Sequence, residues 1–210
     1  MMDLLSSTLR LSVPLLFAAY AGLMSERSGV ANIALEALLL SAAFAAAASA
    51  PFVGDPYLAA AIGVGAAIFV GLLFALVCLY GRGDQVVVGT GFNLLAAGFL
   101  PILTKAFYDN TGSTPALDQS MTFHEPWVFF ALAVLVLGVL EFLFRRTRHG
   151  LRITAAGENP NSLRTLGVNE KAVRVRAIVE GSALAGVGGV YLSLCQGSGY
   201  IRDMSAGRGF

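Results

Sequence analysis

Long apolar stretches alternate along this chain with short turns and polar patches. Windows at about 7 to 24, 30 to 50, 57 to 80, 86 to 107, 126 to 144 and 174 to 195 are nearly free of charge. About 20 such residues carry a helix across the hydrocarbon core of a bilayer. Residues 58 to 80, LAAAIGVGAAIFVGLLFALVCLY, hold no charged side chain at all. The pattern predicts an all-α, polytopic membrane protein with about six spans in one membrane domain over residues 1–210.

The side on which each loop lies follows from Lys and Arg, which accumulate on the cytoplasmic side. Segment 145 to 176 holds eight of the 14 basic residues and is therefore read as a cytoplasmic loop. Counting crossings back puts Arg27 and Arg82 inside, with PFVGDPY and YDNTGSTPALDQSMTFHE outside. The N-terminus and residue 210 both fall outside; if residues 30 to 50 are re-entrant, the N-terminal side reverses.

Within the cytoplasmic loop, GENPNSLRTLGVNE has the grammar of a short helix at about 160–166. Asn159 is a favoured N-cap, Pro160 suits the first helical position, and Gly167 suits a left-handed closing residue. Leu163 and Leu166 are expected on one face with Arg164 beside them. A helix of two turns is unstable alone, so it docks in a groove on a partner protein or lies on its own membrane domain.

Three polar residues stand out inside apolar windows. Asn32 and Glu36 in ANIALEALLL are expected one helical turn apart on one face. An ionisable group at membrane depth is costly and faces a pathway, a gate or a partner; for Glu36 the local alternative is Arg27. Asn93 in GTGFNLLAAGF lines a polar pathway or acts as interhelical glue. Glu141 and Arg145 make a favourable (i, i+4) pair, Glu180 can reach Arg176, and HEPW marks an interfacial belt. Gly181, Ala185 and Gly189 form a small-residue face for close helix approach.

Composition narrows the class further. The chain is 56% hydrophobic and 13% charged, with mean hydropathy +0.72, whereas roughly 25% charge is usual in soluble domains. A net charge of +1 with no basic run speaks against nucleic acid. Cys78 and Cys195 stand singly, without CxxC or neighbouring His, so neither a disulfide framework nor a metal site is indicated. MMDLLSST lacks the basic start of a cleaved signal.

Several stretches together resemble the permease subunits of ABC importers of the branched-chain amino acid and ribose type, nearest the nucleoside-uptake branch. They are SERSGVANIALEALLL, GDQVVVGTGFNLLAAG, RHGLRITAAGENPNSLRTLGVNEKAVR, GSALAGVGGVYLSL and MSAGRGF. The resemblance implies that GENP and the residues after it form a coupling helix seated on an ATP-binding subunit. Glu158, Asn159, Pro160, Leu163, Arg164 and Gly167 become contact candidates, with Leu166 from the helix pattern. It further implies a bacterial cytoplasmic membrane, a second permease subunit in a heterodimer, and an extracytoplasmic solute-binding protein. No covalent chemistry and no catalytic residues are expected. The chain has no G-x-x-x-x-G-K-[ST] loop, so ATP and Mg belong to the partner ATPase and no cofactor is expected here. Ala34 and Ala37 stand where the family usually has glycine, and Ser162, Leu163 and Arg164 depart from its small and acidic residues. Family members continue past MSAGRGF, so the resemblance implies a C-terminally shorter chain. Nucleosides lead as solute, then sugars, then flavin-like rings. Two other classes stay open: a proton-coupled secondary transporter or channel using Glu36, and a non-transporting membrane scaffold.

Overall fold

The computed structural model describes residues 2–110 and 112–209. Its helices are α1 (Met2–Arg27), α2 (Leu35–Val53), α3 (Pro56–Leu79), α4 (Gln85–Tyr108), α5 (Pro126–Arg146), α6 (Arg148–Glu158), α7 (Pro160–Thr165) and α8 (Glu170–Tyr191), the last continuing as a π-helical turn over Leu192–Gln196. Among the described residues, six of these are long and apolar enough to cross a membrane, and they match the expected spans. Side-chain caps set several starts. Asp55 accepts from the Tyr57 N–H, Asp84 from Val86 and Val87, and Asn169 from Lys171 and Ala172; each satisfies amides that a helix start leaves unpaired.

The bundle is built around α8. The sequence GSALAGVGGV carries small residues on more than one side, and a four-residue repeat drifts about 40° per step around a helix of 3.6 residues per turn. The repeat therefore turns from one neighbour to the next. A Cβ on Gly181 would lie 2.8 Å from the Ala21 carbonyl oxygen of α1; on Gly186, 3.0 Å from Val64 Cα of α3; on Gly189, 2.3 Å from the Leu39 carbonyl oxygen of α2. Ala185 is buried with Ala21 and Leu38. Helices α1, α2 and α3 thus press backbone to backbone on α8, as in membrane bundles where small residues permit close approach. Outside this core, α4 packs on α2 and α5 on α1.

The outer surfaces of α4 and α5 are apolar: Leu94, Ile102, Val128 and Leu135 are all more than 60% exposed. With Asn93 and Glu36 inside the bundle and leucines outside, the molecule is the inverse of a soluble protein. Only lipid or another apolar partner makes such a surface stable.

Two features depart from the expected path. The chain is not helical over residues 28–34, and α2 starts at Leu35. Even so, the segment crosses. The Ala31 N–H donates to Gln85 Oε1 at 2.7 Å, and Tyr108, whose OH donates to the Ala48 carbonyl at 2.8 Å, closes α4. Residues 31–48 therefore run the whole length of α4, and the re-entrant alternative does not hold.

The second departure is at the other end. After α8 the chain pairs with the loop between α4 and α5: Thr114 N donates to the Tyr200 carbonyl, Leu117 N to Ser198 and Phe123 N to Leu194, at 2.8–2.9 Å. Residues 203–209 then turn back into the bundle instead of leaving it on the N-terminal side, because their amides find Glu36. Residue 210 lies outside the described residues.

If backbone contact on α8 holds the bundle together, Gly189→Leu should prevent recovery of monodisperse protein in mild detergent. Gly138→Leu, where nothing lies within 4 Å of the added Cβ, should behave like wild type. Size-exclusion profiles of the two variants decide this; equal profiles would show that α8 is not closely packed.

Candidate functional site

Residues 28–34 form an irregular elbow between α1 and α2, and several of its backbone groups have partners. Ser28 and Val30 amides donate to the Ser25 carbonyl and Gly29 to Glu26. The Ala34 amide donates to its neighbour's side chain, Asn32 Oδ1, at 3.1 Å. Asn93 adds a bond on either side of the α2 start: its Nδ2 donates to the Ile33 carbonyl at 2.8 Å, and its Oδ1 accepts from the Ala37 N–H at 2.9 Å. Asn93 lies eight residues into α4, roughly 12 Å along the helix axis, so the elbow reaches well into the bundle. Asn32 precedes the helix and does not share a face with Glu36 as the spacing predicted. The glue reading of Asn93 matches its contacts.

Glu36 is 7% exposed and, among the described residues, forms no ion pair. Its Oε1 accepts from the Ser205 hydroxyl and from Gly207 N at 3.2 Å, and its Oε2 accepts from Gly209 N at 2.7 Å. A carboxylate is well held by several donors of this kind. A Cβ on Gly209 would lie 2.3 Å from the Glu36 amide nitrogen, so only glycine permits this approach. Arg27, the partner expected for Glu36, instead sits over the Phe144 ring, 5.4 Å from its centroid. Ser205, Gly207 and Gly209 were not foreseen as its donors. The spaced small residues of SAGRG were the available signal, but a separation of 169 residues or more hides the pairing.

The basic segment 145–176 contains two short helices, not one, before α8 begins. Helix α6 went unforeseen, although Thr147 caps it by accepting from Gly150 N at 3.1 Å and Ile153 and Ala156 form its buried side. At its start, His149 Nε2 and Glu180 Oε2 are 2.9 Å apart, while Arg176 stands 4.0 Å from Glu180. Glu141 pairs with Arg145 as expected.

Helix α7 follows at once, with Pro160 in the first turn and Gly167 at φ +71, as the sequence indicated. Asn159 takes the N-cap position but its side chain does not cap; the Ser162 hydroxyl and amide both donate to its carbonyl. Leu163 and Leu166 do not share a face. Leu163 is 2% exposed, packed within its own chain, and Leu166 is 77% exposed. Arg164 donates to Glu170 Oε1 at 2.6 Å, and that hydrogen bond raises the guanidinium pKa above its ordinary value. Glu158, Asn159, Leu166 and Gly167 complete the exposed edge.

The sequence that builds these six spans and the short helix after α6 has known relatives. The family model described as branched-chain amino acid transport system / permease component matches residues 4–210. The chain belongs to that family. It is a membrane permease of the ABC transporter type. Among its relatives are NupQ of Bacillus subtilis, a guanosine ABC transporter permease protein, 29% identical over 97% of this chain and 71% of its own. NupC of Lactococcus lactis, a nucleoside ABC transporter permease protein, is 29% identical over 95% of this chain and 69% of its own. TsgC13 of Haloferax volcanii, an ABC transporter permease named for glucose, is 30% identical over 99% of this chain and 67% of its own. No solved structure matches the chain significantly.

The Glu36 clamp makes a direct prediction for this permease. In Glu36→Gln, an amide NH2 replaces one carboxylate oxygen and leaves a buried N–H unpaired, at about 1–3 kcal/mol. Amide exchange followed by mass spectrometry should show Gly207 and Gly209 exchanging faster than in wild type, with the α8 core unchanged. Identical exchange at both glycines would remove the clamp.

Proposed function

We propose that this permease carries nucleosides inward across the bacterial cytoplasmic membrane, driven by ATP hydrolysis on a separate subunit that holds ATP and Mg. A second permease completes the pathway and an extracytoplasmic binding protein delivers the solute. Two relatives named for nucleosides or guanosine support that solute class; the relative named for glucose makes sugars the competing one.

The observation that carries the coupling reading is the division of labour on α7. Leu163 is buried against the chain's own bundle while Leu166 projects from the same loop. A large apolar side chain exposed beside Glu158, Asn159, Arg164 and Gly167 suits a cleft on the ATPase, and Leu163 and Pro160 brace it from behind. Asn32, Glu36 and Asn93 spend their hydrogen bonds on the chain's own backbone. They hold the shape of the pathway wall rather than touch solute, and no proton carrier is needed.

Two measurements test this. Cysteine at Asn161 should be labelled only from the cytoplasmic side and cysteine at Ala116 only from outside; reversed labelling would refute the orientation. Covering Leu166 contributes about 1.5–3 kcal/mol, so Leu166→Asp should weaken ATPase capture about 10- to 100-fold and abolish nucleoside-stimulated ATP hydrolysis. Normal stimulation in that variant would return α7 to a surface helix, and uptake of glucose but not uridine would correct the solute class.

A further inference from the structure

Three stretches of chain meet at Arg174. Its Nε donates to the Ser28 carbonyl at 3.1 Å and its Nη2 to the Ala156 carbonyl at 2.9 Å. Ser28 opens the elbow, Ala156 lies in the last turn of α6, and Arg174 stands in the second turn of α8. Around this fork the backbones are in direct contact. A Cβ on Gly157 would lie 2.5 Å from the Arg27 carbonyl oxygen, and one on Gly29 would lie 2.9 Å from Gly157 Cα. No layer of flexible side chains separates α6 from the elbow, so the contact resists their approach, while the Arg174 hydrogen bonds oppose their separation.

On one side of the fork, α6 runs through Glu158 directly into α7, whose end is tied back by Val168 N donating to the Leu163 carbonyl at 2.9 Å. On the other side, the elbow is fixed to α4 through Gln85 and Asn93. It leads within two residues into Glu36 and its clamp on residues 205–209. Among the described residues, Arg174 is the side chain that hydrogen-bonds both the α6 end and the elbow. A planar guanidinium presents donors at fixed angles and holds two acceptors in one geometry, which an ammonium does not.

We infer that Arg174 is a positioning residue of transport: it transmits displacement of α7 to the elbow at 28–34, and so to the Glu36 clamp inside the bundle. The inference rests on α7 being the element that docks on the ATPase. Its consequence is a separation of two events that are normally linked. Without the fork, the ATPase still docks on Leu166 and still hydrolyses ATP, but the elbow no longer follows.

The test uses the assembled transporter in proteoliposomes, with Arg174→Ala, Arg174→Lys and, as a control on the same helix, Arg176→Ala. Spin labels at Ala31→Cys, on the exposed side of the elbow, and Leu135→Cys, on the lipid-facing side of α5, report elbow movement. In the wild-type background and in Arg176→Ala, adding ATP should change that distance. In Arg174→Ala, ATPase co-purification and basal hydrolysis should persist, the distance change should vanish, and nucleoside uptake should fall about tenfold or more. Arg174→Lys, which keeps the charge and reaches one carbonyl, should restore part of both. Uptake and elbow movement like wild type in Arg174→Ala would overturn the inference. So would loss of the assembled complex in both Arg174 variants, which would make the residue a folding contact only. If Leu166→Asp uncouples and Arg174→Ala does not, the relay alone fails; if Leu166→Asp leaves stimulated hydrolysis normal, the docking reading itself fails.

Discussion

Backbone that is not helical cannot sit at membrane depth with its amides and carbonyls unpaired, since each such group costs several kcal/mol. Residues 28–34 bring a non-helical stretch into the bundle, and much of the surrounding structure answers that demand. Gln85 has to stand at the first position of α4 to meet the Ala31 amide. Asn93 has to lie two turns further in, where one side chain meets a carbonyl and an amide on either side of the α2 start. Arg174 has to reach across from α8 to the Ser28 carbonyl. The register of α4 and α8 against α2 is therefore set by hydrogen bonding as much as by packing.

The same demand explains an ionisable residue deep in the fold that forms no ion pair among the described residues. A helix start has orphan amides and a positive dipole end, which favours an acidic residue in the first turn. Glu36 occupies that turn in α2 and uses its carboxylate to satisfy a second irregular stretch, residues 205–209. The second irregular stretch is thus tied to the first turn of the helix that the first one opens. In transporters such breaks commonly flank the solute site.

The spans were legible because length and charge alone decide which segments lipid will accept. The elbow was not, because ANIALEALLL has the apolar spacing of a continuous helix and nothing local forbids one. What breaks it is tertiary: Gln85 and Asn93 offer its groups better partners than another turn would. Helix α6 escaped notice for the opposite reason, since a stripe made of Ile153 and Ala156 is too short to register as periodicity. The C-terminal return was illegible because its partners lie far away in sequence.

Leu163 and Leu166 show most clearly where sequence geometry runs out. Residues three apart share a face only while the helix lasts, and α7 ends at Thr165. Leu166 takes φ −85 and ψ 3 at the closing position, and Gly167 turns the chain away. The two leucines part there, one inward and one outward. A helix of six residues has almost no stability of its own, so it had to be either a plug for a partner or a ridge on its own domain. Packing through Leu163 while presenting Leu166 makes those alternatives compatible. A helix anchored from behind moves with the bundle it is anchored to, and that rigidity is what a contact needs if a push on it is to travel inward.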